Sequence, residues 1–118
     1  MKTHASHRLI SVLMVPLAVA IIAGCSPKPE ADDAQTMQAG LDALYTRHDP
    51  AAAATEFRKV LAHNPTHYGA TYQLAAALDA ADKRAEARPL WEKMLQMAEA
   101  VQDSETINTA RMRLETKP

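Results

Sequence analysis

The chain's one thiol, Cys25, follows Ile22-Ala23-Gly24 at the end of a long apolar run. A thiol can act as a nucleophile, bind a metal or pair with a second cysteine. No second cysteine exists, so an internal disulfide is impossible. The apolar run before Cys25 and the proline-rich Ser26-Pro27-Lys28-Pro29-Glu30 after it argue against a buried thiol. The next candidates are His48, His63 and His67. A His-x-x-x-His spacing puts two imidazoles on one helical face, but Asn64-Pro65 breaks the helix that would align them. His48 falls in a connection expected at the opposite end of the helices. Ser104 is the only serine after Ser26 and reads as a helix cap, not a nucleophile. The carboxylates are scattered among basic residues, as on a solvated helical surface. Gly24, Gly40 and Gly69 are the only glycines, so no phosphate-cradling loop can form. These residues give no metal centre, no cofactor and no enzyme.

The residues before Cys25 say more. Lys2 and Arg8 are the only charges in the first 24 residues, and both are positive. Leu9 to Gly24 contains no Asp, Glu, Lys or Arg. A basic start, an apolar stretch and small residues before a cut site describe a secretory signal peptide. A membrane-spanning helix needs roughly 20 apolar residues. This run is shorter and carries Pro16 and Gly24.

Ile22-Ala23-Gly24-Cys25 resembles the lipobox of bacterial lipoproteins. The resemblance implies that residues 1–24 are removed, with Ile22, Ala23 and Gly24 as recognition residues. Cys25 would carry a diacylglyceryl group on its thiol and a further acyl chain on its freed amino group. Residues 25–31 would form a short lipidated tether, semi-extended because of its prolines. In the sorting rule of enteric bacteria, Asp after the cysteine retains a lipoprotein in the inner membrane. Ser26 therefore implies the outer membrane, facing the periplasm.

Beyond Gly24 the chain carries 11 basic and 14 acidic residues. A mildly acidic domain with no basic block excludes nucleic acid as the expected partner. Arg111 and Arg113 come nearest to a patch and read as part of a solvated face. Abundant alanine and few β-branched residues favour an all-α domain.

The helices repeat. Asp49 is placed to cap a helix with Pro50 at its first position. Ala53, Phe57, Val60 and Leu61 form one apolar stripe, and Asn64-Pro65 ends it. Adding 34 maps Ala53 to Ala87, Phe57 to Trp91, Val60 to Met94 and Leu61 to Leu95. Leu41 maps to Ala75 and Leu44 to Leu78. A last stripe of Ile107, Ala110 and Leu114, flanked by Arg111, fits a capping helix. The pattern predicts five helices over about 32–47, 50–63, 67–80, 83–101 and 104–116. Pro89 lies inside the fourth, so an irregular first turn is expected, or a start near Arg88.

This pattern resembles the tetratricopeptide repeat (TPR) family, whose 34-residue unit is a pair of antiparallel helices. Gly40-Leu41, Leu74-Ala75, Ala53 and Ala87 match the family's helix-crossing positions. Phe57 and Trp91 match its aromatic, and Pro65 its closing proline. Met37, Thr71 and Glu99 depart from the pattern. The resemblance implies an all-α solenoid over 32–118, with repeats at about 34–67 and 68–101 and a cap at about 104–116. The first helices of such repeats line a concave protein-binding groove. By that register Gln38, Asp42, Tyr45, Tyr72, Ala76 and Asp79 would face it. The Lys and Asn pair that chaperone-binding members use for a C-terminal carboxylate is missing there. The implied function is a non-enzymatic, membrane-anchored adaptor for an envelope protein or peptide. The alternatives are a self-associating structural lipoprotein and an accessory subunit of a periplasmic assembly pathway, such as cytochrome c maturation or pilus or outer-membrane biogenesis.

Overall fold

The computed structural model describes residues 29–117; Ile22, Ala23, Gly24 and Cys25 lie outside them. Among the described residues the chain is helical throughout, with five helices and no strand. Helix α1 spans Pro29–Leu41 and runs into a π-helical turn, Asp42–Thr46. Then follow α2 (Pro50–His63), α3 (Tyr68–Ala80), α4 (Arg84–Val101) and α5 (Ser104–Glu115). The bounds of α2 to α5 fall within one residue of those expected. Helix α1 starts earlier, so Pro29 and Glu30, read as extended tether, belong to a helix. Proline at a first helical position loses nothing, because that N–H has no intrahelical partner.

The helix ends are fixed by local chemistry. The Asp49 carboxylate accepts a hydrogen bond from the Ala52 N–H at 2.9 Å, and Pro50 opens α2. The His67 imidazole caps α3 by accepting from the Ala70 N–H at 3.1 Å. At α5 the cap is Asp103, not Ser104, which is the first helical residue. A carboxylate one position earlier reaches the Thr106 N–H, at 3.2 Å. Helix α4 is continuous over Arg84–Val101 with Pro89 inside it, so it does not start near Arg88. Pro89 deprives the Ala85 carbonyl of its usual donor, a defect that costs about 3 kcal/mol in an isolated helix. Burial of Ala87, Trp91, Met94 and Ala98 on one stripe of α4 offsets it. The π turn also departs from the expected α-helix. There the Arg47 N–H donates to the Asp42 carbonyl five residues back, at 3.0 Å.

The 34-residue period is visible in the packing. Ala53 and Ala87 are both fully buried, as are Val60 and Met94. Phe57 and Trp91 are the two largest core side chains. His48 and Asp82, also 34 apart, both take left-handed backbone, with φ of 53° and 59°. Each is the middle residue of the three-residue connection before an even-numbered helix, 47–49 and 81–83, so the two turns reverse the chain at matching positions. Gly40 shows why small residues are needed. A Cβ there would lie 2.5 Å from Cε1 of Phe57, so α1 and α2 meet at a distance only glycine permits.

Each helix packs on the next. Asp33 near the start of α1 meets His63 at the end of α2, 3.0 Å apart, so the two run antiparallel. Arg88 near the start of α4 donates to the Leu114 carbonyl near the end of α5, at 3.3 Å, with the same meaning. Ties also join alternate elements. The Tyr45 hydroxyl donates to Gln73 at 3.1 Å, linking the π turn to α3. Arg58 pairs with Glu86 at 3.0 Å, linking α2 to α4. Both ties span 28 residues.

Candidate functional site

Helix α3 sits centrally, between α2 and α4, and presents Tyr72, Ala76 and Asp79 along one flank. All three are partly buried. Tyr72 meets Trp91 edge to face, with ring centroids 5.4 Å apart. Its other side lines a shallow depression of about 290 Å3 between α3 and α5, with Tyr68, Gln73, Glu105 and Thr109. Ala76 and Asp79 line a second cavity, of about 280 Å3, where the end of α3 meets the start of α4 and the end of α5. Asp79 is held in place. Its carboxylate accepts from the Trp91 indole N–H at 2.8 Å and lies 3.8 Å from Arg113.

The remaining groove candidates sit on α1 and its π turn. Gln38 is exposed. Asp42 is exposed and pairs with Arg47 at 3.1 Å. Tyr45 is 59% exposed, unusually open for a large aromatic, and leans across to Gln73. Tyr45 and Tyr72 therefore flank Gln73, one from the π turn and one from α3. Gln38 and Asp42 line neither cavity.

Helix α5 is pinned by one polar cluster. The Asp103 carboxylate accepts from the Tyr68 hydroxyl at 2.7 Å and the Thr106 hydroxyl at 2.6 Å, besides capping α5. These donors, Thr106 foremost and then Tyr68, lower the Asp103 carboxyl to a pKa of about 2. Burial, more than the neighbouring carboxylate, raises the Tyr68 phenol above its ordinary value. The cluster ties the start of α3 to the start of α5 and so fixes one wall of the shallow depression.

The histidines are used separately. His63 faces Asp33, His67 caps α3, and His48 occupies the left-handed turn. Among the described residues no group of three His, Cys, Asp or Glu is gathered to hold a metal.

Sequence reasoning passed over the residues that share a cavity with Asp79. These are Arg84 and Arg88 from α4 and Arg113 from α5. Arg113 was read with Arg111 as a solvated face, and both are exposed; Arg111 pairs with Glu99 at 3.2 Å, while Arg113 also lines this cavity. The signal that could have found the others is Arg84-x-x-x-Arg88, which puts two guanidiniums on one face of the first turns of α4.

No family model matches this chain, and neither does any curated protein or solved structure.

Proposed function

We propose that this chain is a membrane-anchored adaptor of the TPR type, working in a bacterial envelope and binding a peptide or helix of another protein in a groove across α1, α3 and α5. The observation that carries this reading is the exposed pairing of Tyr45 with Gln73 beside Tyr72. It places two aromatic rings and an amide along one flank of the helical stack, where a partner can reach them. Tyrosine offers large contact area with one polar handle and loses little freedom on binding. The 34-residue period in burial and in turn geometry supports the repeat assignment. It appears in Ala53 with Ala87, Phe57 with Trp91, and His48 with Asp82. The lipobox resemblance at Ile22-Ala23-Gly24-Cys25 supports the anchor, and Ser26 supports the outer membrane.

In this reading the groove binds and the lipid on Cys25 holds the complex at the membrane. Restricting a partner to the membrane surface raises its effective concentration, so modest groove affinity suffices.

The test uses cells carrying the tagged full chain, cross-linked and then purified, with partners identified by mass spectrometry. The variant pairs Gln38→Ala with Tyr45→Ala, both exposed and so removable without opening the core. A specific envelope protein recovered with the native chain and lost with the variant is the expected result. Recovery of only the chain itself would favour a self-associating structural lipoprotein.

A further inference from the structure

We infer that the cavity between α3, α4 and α5 receives an acidic side chain of the bound peptide, engaged by Arg84, Arg88 and Arg113. The inference rests on the adaptor reading for the peptide nature of its ligand, and on this cavity for the ligand's charge.

Charge complementarity is the first argument. Beyond Gly24 the chain is net acidic, with 11 basic residues against 14 acidic ones. The cavity reverses that balance, with three guanidiniums and one carboxylate lining it. The carboxylate, Asp79, is already engaged by the Trp91 N–H at 2.8 Å and approached by Arg113 only at 3.8 Å. Arg88 meets Glu92 at 3.5 Å and the Leu114 carbonyl at 3.3 Å, both long contacts for a guanidinium. Among the described residues, Arg84 makes no ion pair or side-chain hydrogen bond. Each guanidinium carries five donors in a planar fork that matches a carboxylate. Most of these donors are uncommitted.

Size is the second argument. A cavity of about 280 Å3 lies just below the usual range for a whole small-molecule site. It suits one side chain projecting from a longer ligand. Its lining is partly apolar, with Ala76, Ala80 and Ala85 beside Trp91. A glutamate fits that pattern, with its methylenes over the alanines and its carboxylate among the arginines. Ala76 and Asp79 are also on the groove flank of α3, so a peptide lying along Tyr72 can reach the cavity.

Trp91 is the chain's only tryptophan and lines this cavity, so its fluorescence reports on occupancy. The full chain in detergent micelles is titrated with acetylated, amidated tetraglutamate, with tetraglutamine as the neutral comparison. A saturable Trp91 response to tetraglutamate alone, weakened by added salt, is expected. Arg84→Gln and Arg113→Gln should each weaken it about tenfold, the loss of roughly one charge-assisted contact. Arg111→Gln, an exposed arginine outside the cavity, should leave it unchanged. No saturable response to tetraglutamate, or equal responses from the two peptides, would overturn the inference. So would a response to inorganic phosphate with none to tetraglutamate, which would make this a small-anion site. Partner capture that depends on Tyr45 while tetraglutamate fails removes the inference and leaves the adaptor standing. Tetraglutamate binding without any captured partner supports the acidic-ligand cavity and removes the adaptor.

Discussion

Replacing Gly40 by alanine tests the helix packing that everything else rests on. In an ordinary helix interior, glycine to alanine is stabilising by about 1 kcal/mol through backbone entropy. Here the new methyl would sit 2.5, 2.8 and 2.9 Å from three atoms of the Phe57 ring. Carbon atoms separate at about 3.5 Å or more, so ring or helix must move by roughly 1 Å. Phe57 is fully buried and cannot swing into solvent. Overpacking of this kind costs about 1–3 kcal/mol. Subtracting the propensity gain, Gly40→Ala should destabilise by roughly 0–2 kcal/mol. The sharper quantity is the coupling with Phe57→Leu, which removes Cε1 and Cζ. In that background Gly40→Ala should become stabilising by up to about 1 kcal/mol, giving a coupling energy of about 1–3 kcal/mol. Urea titrations followed by helical circular dichroism on all four chains measure it. If Gly40→Ala stabilises equally in both backgrounds, the close approach of α1 and α2 is refuted.

Acid should act through Asp103. Its folded pKa, about 2, lies below the ordinary 3.8, so it stabilises the fold above pH 3.8, an advantage lost as pH falls towards 2. Thermal midpoints between pH 5 and pH 2 should fall more steeply in the native chain than in Asp103→Asn, and parallel curves would contradict this. Trp91→Phe strips Asp79 of its indole donor and leaves the buried site short of one fused ring, so it should destabilise by at least about 1–3 kcal/mol in urea titrations. Growth with labelled palmitate should mark the native chain and leave Cys25→Ala unlabelled, and equal labelling would end the lipid assignment.

Much of the fold was legible because helix ends have local causes. Asp49-Pro50 and Asn64-Pro65 announce the bounds of α2 in four residues, and both hold. The 34-residue spacing of Ala53 with Ala87 and Phe57 with Trp91 was legible because burial imposes residue size directly. Ser104 was misjudged as the cap because two adjacent residues can both accept, and only the backbone turn decides which one reaches Thr106. The π turn at Asp42–Thr46 left no trace, since one extra residue in a helix changes no residue type. The arginine cavity was hidden for another reason. Arg84 and Arg88 are 25 or more residues from Arg113 in sequence, and only the packing of α5 on α4 unites them. Asp79 was read as a groove contact, yet much of its bonding capacity goes to Trp91. A tertiary hydrogen bond of that kind cannot be read from spacing.

The most direct test of the adaptor account is site-specific photo-cross-linking in cells. A photoreactive phenylalanine is placed in the full chain at Tyr45 or Gln38 on the proposed groove, or at Glu56 or Lys59 on α2, away from it. The account predicts one discrete envelope adduct from Tyr45 and Gln38 and none from Glu56 and Lys59. Adducts from all four positions alike, or only from Glu56 and Lys59, would contradict it.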